Sequence, residues 1–356
     1  MEKYKISSLQ LTFLIIGFLF GSSGIISPAT SARQDAWLAF LIGWVGGFLL
    51  IGVCLAIAKL NPSKTLVEIL KSNFGALIGS IIAIFYIFYF IHLASIVLRN
   101  FGEFINIVTH PNTPMLFIIA CMAIVCAYAL RKGVEVLGRT SEMLVPLLPI
   151  TLTVAFIGAS RLFDITNFEP ALINGWKPVI PTIFSVISFP FGETIVFLTI
   201  FTYLNKKKNL NTSVLTGTLI AGLFLLTILM RDTMALGVEA INRATFPTEL
   251  ASKLVFGINI YPIILVNLLI GGFIKITVCL YTAITSTAEL IKLSDHKVLI
   301  LPITAFTVVL SVWVYQNVLE MFAFADIYPY YAIPFQIIIP ALLLAISIIK
   351  KILNKS

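Results

Sequence analysis

The chain of 356 residues is 59% hydrophobic and only 11% charged, whereas a typical soluble domain carries about 25% charged residues. This composition predicts a polytopic membrane protein and excludes a soluble globular domain. The formal net charge of +8 does not indicate nucleic-acid binding. The basic residues stand in short connections between apolar segments, where they set orientation and meet anionic lipid headgroups. We therefore expect a lipid bilayer as the surroundings and no nucleic-acid partner.

Ten apolar segments follow one another along the chain, each long enough to span a bilayer. They are predicted at 9–30, 36–58, 74–98, 115–130, 143–160, 179–203, 213–230, 258–290, 298–316 and 330–349. With the N-terminus inside, sixteen of the 24 Lys and Arg residues lie on the inner side and seven on the outer side. The positive-inside rule therefore predicts that both termini are cytoplasmic. The outer connections then include 231–257, which is long enough for a small surface helix, and 316–329.

The first predicted span is interrupted in its middle by Gly21–Pro28, which holds two glycines, three serines and a proline. Such residues do not favour an unbroken helix, and broken backbone at membrane depth is tolerated only inside protein or beside a polar cavity. Free N–H and carbonyl groups at a break commonly form a small-molecule site. Gly and Ser also occur at tight helix crossings, which is the alternative. The predicted ligand-binding residues here are Gly21, Ser22, Ser23, Gly24 and Ile25.

The sixth predicted span is interrupted in the same way, about midway between residues 179 and 203. The interrupting residues include Pro190, and the predicted ligand-binding residues are Ser188, Phe189, Gly192 and Glu193. The two breaks are five spans apart, and an odd offset starts the second half from the opposite side of the membrane. We therefore predict one membrane domain over 1–356, built as an inverted repeat of five-helix halves at 1–160 and 175–350.

Two broken helices that open two five-span halves resemble the amino acid–polyamine–organocation superfamily, the leucine-transporter fold. Three motifs narrow the resemblance: Lys5–Leu11, Arg131–Arg139 and Phe189–Glu193. With the length and the number of spans, they resemble the B subunits of spore germinant receptors over essentially the whole chain. The resemblance implies an all-α protein that senses a nutrient germinant, such as an amino acid, in the inner membrane of a bacterial endospore. It also implies that the protein acts together with a larger A subunit and a lipoprotein C subunit.

Three ionisable residues inside the predicted spans are candidates for ion or proton coupling: Glu193, Lys275 and His92. Intramembrane charges are costly and usually face a cavity or a partner. Glu193 either meets a substrate ammonium or binds the N–H groups of its own broken helix. Lys275 is either its counter-ion or, since the first and eighth helices of the resembled fold hold a cation, a fixed substitute for that ion. A lone histidine among aromatic residues is more often a packing residue than a proton relay.

Two functions remain open at this stage. The first is a ligand-sensing subunit that keeps a transporter fold, and the alternative is a proton-coupled transporter of an amino acid or other small solute. We expect no enzyme, no cofactor and no metal site, because no catalytic or metal-ligand spacing is evident. Glu103, near the outer end of the third span, is expected to make interface or loop contacts, and Tyr89 is expected to be a packing aromatic.

Overall fold

Fifteen α-helices and several short 3₁₀ turns form the fold in the computed structural model, which describes residues 5–24, 26–255 and 261–353. The helices are Ser8–Phe20 (α1), Ala36–Leu60 (α2), Leu66–Phe74 (α3), Ala76–Val108 (α4), Met115–Lys132 (α5), Val134–Leu144 (α6), Leu147–Ala159 (α7), Val179–Ser188 (α8), Phe197–Ile200 (α9), Leu210–Arg243 (α10), Pro247–Lys253 (α11), Tyr261–Leu290 (α12), Ile300–Trp313 (α13), Val318–Ile333 (α14) and Ile339–Leu353 (α15). Among the described residues, the only strand-like pairing is a bridge between Ile6 and Leu204.

The helices make a membrane bundle. Nine helical segments of the described ranges are long and apolar enough to cross a bilayer, and α1 is a shorter apolar helix of 13 residues. Segments α6 with α7, α8 with α9, and α14 with α15 each form one such unit. The predicted all-α polytopic fold class is therefore confirmed.

The break in the first span lies where the sequence predicts it. Helix α1 begins at a capping box, in which Ser7 and Gln10 bond each other's backbone N–H groups. It ends at Gly21, whose φ of +24° is a conformation that side chains rarely adopt. A 3₁₀ turn over Ser22–Gly24 follows, and a second 3₁₀ segment covers Thr30–Asp35.

The break in the sixth span has a similar form. Helix α8 ends at Ser188, and Phe189 is extended. A 3₁₀ segment over Phe191–Val196 carries Glu193 and leads into the short helix α9. The two breaks thus stand in the spans where the inverted-repeat hypothesis requires them, although the division into two repeats stays a prediction.

The prediction of an outer loop over 316–329 is wrong. Helix α14 already begins at Val318, because the Asn317 side chain accepts hydrogen bonds from the backbone N–H groups of Leu319 at 3.0 Å and Glu320 at 3.1 Å. Pro329 lies within this helix, where a proline usually marks a helix end or a kink. A π-helical turn over Pro334–Ile338 then joins α14 to α15.

The connection predicted over 231–257 is also largely helical; its residues 256–257, like the start of the segment predicted at 258–290, lie outside the described residues. Helix α10 continues to Arg243 and changes direction at Gly237, where φ is +69°. Arg231 and Asp232 are therefore buried in a helix rather than exposed in a loop. The short helix α11 exists as predicted, but Thr248, Glu249, Ala251 and Ser252 are buried, so it is not a surface helix.

Helix α4 is longer than the span predicted at 74–98, and this changes the setting of Glu103. Glu103 is 5% exposed, and its carboxylate pairs with the Arg99 guanidinium one turn earlier, at 2.8 Å. The Arg99 guanidinium also donates to the carbonyl of Val312 at the end of α13, at 3.1 Å. The expectation of interface or loop contacts for Glu103 is therefore wrong, because the pair is a buried link between two helices.

The start of α1 is hydrogen-bonded to the segment that follows α9. The Ile6 N–H donates to the Tyr203 carbonyl at 3.0 Å, and the Asn205 N–H donates to the Ile6 carbonyl at 3.0 Å. The Gln10 side chain also donates to Glu142 in α6, at 3.0 Å. These bonds join three segments at the end of the bundle that is predicted to face the cytoplasm.

Candidate functional site

A cavity of about 420 Å³ lies between the two breaks and helices α4, α10, α12 and α14. Its volume is in the range of small-molecule sites, about 300–1,000 Å³. Four of the residues predicted to be functional line it: Ser22, Phe189, Glu193 and Lys275. The cavity extends to residues of the connections after α10 and α13, at the end of the bundle predicted to face outward.

An ion pair stands at the inner end of the cavity. The Lys275 ammonium and a Glu193 carboxylate oxygen are 2.5 Å apart, and neither residue is exposed. The Tyr328 hydroxyl donates to the other carboxylate oxygen at 2.7 Å. The ammonium also lies over the rings of Phe189, at 4.5 Å, and Phe18, at 5.3 Å. A buried charge is tolerated when it is paired and hydrogen-bonded in this way.

Close backbone packing brings Lys275 to the first break. On α12, a Cβ atom added at Gly271 would lie 2.9 Å from both the backbone nitrogen and the carbonyl oxygen of Gly21. One turn further along α12, the Lys275 stem passes so close to Gly21 that an added Cβ there would lie 2.5 Å from the lysine Cδ. The lysine therefore touches both interrupted spans, at Gly21 on one side and at Glu193 on the other.

A network of neutral polar groups holds the second break in place. The Gln336 side chain donates to the Ser188 carbonyl at 3.1 Å and to the Tyr89 hydroxyl at 2.9 Å, while the Ser188 hydroxyl donates to the Gln336 oxygen at 2.9 Å. The Tyr89 and Tyr328 hydroxyls are 3.1 Å apart, and all of these groups are buried. The π-helical turn thus supplies the amide that satisfies the carbonyl freed at Ser188.

The chain matches a known protein family over most of its length. The family model described as "Spore germination protein" matches residues 5–320. The chain belongs to this family. Spore germination protein KB of Bacillus subtilis (strain 168) is 30% identical, over 99% of this chain and 96% of that protein. Spore germination protein YndE of the same organism is 28% identical, over 68% of each chain. The resemblance to B subunits of spore germinant receptors is therefore confirmed.

Three solved structures with similar folds can be compared with this chain. The nucleobase-cation-symport-1 family transporter MHP1, in a closed conformation with bromovinylhydantoin bound, aligns over 96% of this chain and 78% of its own length, with a TM-score of 0.71 and 13% identity. A sodium-coupled sialic acid symporter in a substrate-bound outward-open state has a TM-score of 0.68 and 12% identity, covering 88% and 75% of the two chains. MhsT in complex with L-phenylalanine has a TM-score of 0.63 and 14% identity, covering 88% and 80%. The spore germination protein thus has the leucine-transporter fold.

Some residues predicted for the site lie behind the cavity wall instead of on it. Gly24 packs against the Phe20 ring, and Gly192 faces Gln336. Ser23 is buried, and its hydroxyl has no partner among the described residues. Ile25 lies outside the described residues.

His92 does not line the cavity of this spore germination protein. Its ring stacks on Phe88 and meets Phe324 and Tyr331 edge to face, at centroid distances from 5.2 to 6.0 Å. These aromatic neighbours are typical of a packing residue. A coupling role for His92 stays a prediction.

Several polar residues of the site were assigned no binding role from the sequence: Tyr89 was expected only to pack, and Tyr328 and Gln336 were not singled out. Tyr89, Tyr328 and Gln336 bond groups more than a hundred residues away along the chain, and no local pattern reveals such partners. Asn100 and Asp232 also line the cavity. Asn100 lies beyond the span predicted at 74–98 and directly follows Arg99, so no local pattern marks it as a residue of the site.

Proposed function

We propose that this spore germination protein is the germinant-binding subunit of a receptor, and that it binds a small nutrient solute, such as an amino acid, in the 420 Å³ cavity. The observation that carries the proposal is the Lys275–Glu193 pair at the inner end of that cavity, between the two broken helices. A zwitterionic ligand offers one charge of each sign and can therefore match both members of the pair.

The charged and polar groups on the cavity wall would set the orientation of the ligand. Its carboxylate would approach the Lys275 ammonium and the Ser22 hydroxyl, which is buried and has no partner among the described residues. Its ammonium would approach Glu193, where an oxygen already accepts a hydrogen bond from Tyr328. Backbone N–H groups of the 3₁₀ turn at Ser22–Gly24 would add to the carboxylate side. Among the other predicted residues, Gly21, Ser188 and Gly192 would shape and support the two breaks.

Binding would act by shifting a conformational equilibrium and would leave the ligand chemically unchanged. The proposed partners that receive the shift are a larger A subunit and a lipoprotein C subunit, in the inner membrane of the endospore. Support comes from membership of the spore germination family and from the transporter fold. Co-purification of A-type and C-type subunits with the tagged protein from spores would test the assembly.

Transport is the second candidate function. The cavity reaches the end of the bundle predicted to face outward, and its lining includes no residue near the Ile6–Tyr203 and Ile6–Asn205 bonds at the opposite end. One open and one closed side is the arrangement that alternating access requires. Lys275, Glu193 and His92 would then be the candidates for ion or proton coupling.

The binding test uses the purified full-length protein in nanodiscs and labelled L-amino acids in equilibrium dialysis. Glu193→Gln is expected to abolish saturable binding. The matched control is Glu103→Gln, which removes another buried carboxylate of an ion pair that does not line the cavity. Equal loss in both variants, or no saturable binding by the unmodified protein, would overturn the proposal. Accumulation of the bound amino acid in proteoliposomes under a proton gradient would favour the transporter.

A further inference from the structure

The Gln336 amide can take only one orientation against the second break. The Ser188 carbonyl accepts a hydrogen bond from the amide nitrogen at 3.1 Å, and a carbonyl can only accept. The Ser188 hydroxyl donates to the amide oxygen at 2.9 Å. A flipped amide would place its oxygen against the Ser188 carbonyl and lose that bond. The nitrogen of Gln336 therefore faces this carbonyl and has one N–H left for a second acceptor.

The remaining N–H of Gln336 starts a chain of hydroxyl groups. It donates to the Tyr89 hydroxyl at 2.9 Å. The Tyr89 and Tyr328 hydroxyls are 3.1 Å apart, and Tyr328 donates to a Glu193 carboxylate oxygen at 2.7 Å. Because the Tyr328 hydrogen is used on Glu193, the bond between the two tyrosines is donated by Tyr89. Every bond of the chain thus points from Gln336 toward Glu193.

The opposite direction would leave a buried hydrogen atom without an acceptor. If Tyr328 donated to Tyr89, the Tyr89 hydrogen would need another acceptor. Among the described residues, the hydrogen-bond partners of the Tyr89 hydroxyl are Tyr328 and the amide nitrogen of Gln336, and that nitrogen cannot accept. Both tyrosines are buried, where an unpaired donor keeps its desolvation penalty. The amide nitrogen of Gln336 therefore holds the chain in the direction that ends on Glu193.

The charge of Glu193 depends on the groups that surround it. Burial alone disfavours a carboxylate, whereas a nearby opposite charge and donated hydrogen bonds favour it. Lys275 on α12 supplies the charge at 2.5 Å, and Tyr328 on α14 supplies the hydrogen bond. The other titratable groups close to Glu193 are Tyr89 on α4 and Cys279 on α12. Of these groups, only the two tyrosines belong to the chain that begins at Gln336.

We propose that Gln336 is a positioning residue of the candidate site. Its amide nitrogen directs the Tyr89 and Tyr328 hydroxyls toward Glu193, and this direction stabilises Glu193 as a carboxylate that can attract a ligand ammonium. Glu193 is then a fixed counter-charge and not a group that takes up and releases a proton in each cycle. The role of the ligand rests on the proposed function, whereas the direction of the chain rests on the hydrogen bonds alone.

The test measures the protonation of Glu193 directly and needs no ligand. Infrared spectra of the full-length protein in dodecyl maltoside, a detergent without carbonyl groups, are recorded over a range of pH. Subtraction of the spectra of Glu193→Gln isolates the C=O stretch of the protonated Glu193 carboxyl group, and the same pair of spectra is recorded in each variant. The result is the pH at which half of Glu193 is protonated.

Gln336→Glu is the test variant. In its neutral form the new carboxyl group can still donate to the Ser188 carbonyl, but it presents an acceptor to Tyr89, so the chain can reverse and Glu193 loses the Tyr328 hydrogen bond. The pH of half-protonation is expected to rise by about one to two units, the value of one hydrogen bond to a charged group. The control is Asn61→Asp, which changes another buried amide that donates to a backbone carbonyl and should leave Glu193 unaffected.

Adding Tyr89→Phe to Gln336→Glu should restore the original value. Without the Tyr89 hydroxyl, Tyr328 keeps Glu193 as its acceptor, because the Glu193 oxygen is 2.7 Å away and the side-chain nitrogen of Gln336 is 3.5 Å away. A loss of structure, or repulsion between the new carboxyl group and Glu193, would not be reversed by this second change. The restoration therefore separates the direction of the chain from a merely structural role.

A protonated Glu193 in the unmodified protein at neutral pH overturns the proposal. An unchanged value in Gln336→Glu, or a shift that Tyr89→Phe does not reverse, overturns it too. Should Gln336→Glu not fold, Tyr328→Phe decides: it removes the last donor of the chain and is expected to cause the same rise, and no rise contradicts the proposal. Absence of saturable binding of any L-amino acid to the unmodified protein would overturn the proposed function and, with it, the role of Glu193 toward a ligand.

Discussion

Removing one member of the Lys275–Glu193 pair should destabilise the protein far more than removing both. Neither residue is exposed, and their charged atoms are 2.5 Å apart. Each single variant therefore leaves one buried charge without its partner. Glu193→Gln and Lys275→Met are each expected to lower the free energy of unfolding by about 3–5 kcal/mol. The double variant should lose about 1 kcal/mol or less, because Met fills the space of the lysine stem and Gln still accepts a hydrogen bond from Tyr328.

The measurement is a double-mutant cycle, with unfolding followed by denaturant titration of the protein in bicelles. Losses that add to within about 0.5 kcal/mol would refute the reasoning, because they would show that the two side chains do not stabilise each other.

The same cycle separates a structural pair from a ligand-binding one. If Lys275 and Glu193 contact a zwitterion, the double variant should regain stability but still fail to bind an amino acid. Recovery of both properties would leave the pair with a structural role only, and would eliminate the hypothesis that Lys275 replaces a bound cation between α1 and α12.

Three further outcomes are expected. Gly271→Ala should cost about 1–3 kcal/mol of stability, because the new Cβ atom would meet backbone atoms of Gly21. The control is Gly52→Ala, whose Cβ atom would meet nothing within 4 Å and should cost no stability. Equal effects of the two substitutions in thermal or denaturant unfolding would contradict this. Tyr328→Phe should cost about 1–3 kcal/mol through the unpaired Glu193 oxygen, and the exposed Tyr330→Phe, as its control, should stay within about 0.5 kcal/mol. In a background without the native cysteines, Lys207→Cys should react with an impermeant maleimide only from the inner side, and labelling of intact cells would refute the predicted topology.

The two breaks could be predicted because their cause is local. Glycine, serine and proline at Gly21–Pro28 and at Ser188–Glu193 carry the signal within a few residues. By contrast, the start of α14 was missed. Glu320, Asp326 and Pro329 resemble a loop in sequence, while the cap at Asn317 and the contacts of the helix decide the structure.

The candidate site could be predicted only in part, for a different physical reason. The presence of Glu193 and Lys275 in apolar spans indicates that each requires a partner, but sequence alone left two alternatives for Lys275. Tyr328 donates to Glu193, and Gln336 donates to the Ser188 carbonyl. Both bonds depend on helices that meet only in the folded bundle. Asn100 lines the cavity only because several helices together form the cavity wall. No single segment of the chain contains that wall.

The composition of the network around the second break has an electrical consequence. Glu193 and Lys275 carry opposite charges, and the groups that support them are two tyrosine hydroxyls and an amide, all neutral. A membrane voltage acts on net charge, at about 2.3 kcal/mol per elementary charge per 100 mV. A conformational change that translates the pair without rotating it therefore transfers no gating charge, and the voltage does no work on it. Such a movement would proceed equally well across a membrane that is not energised.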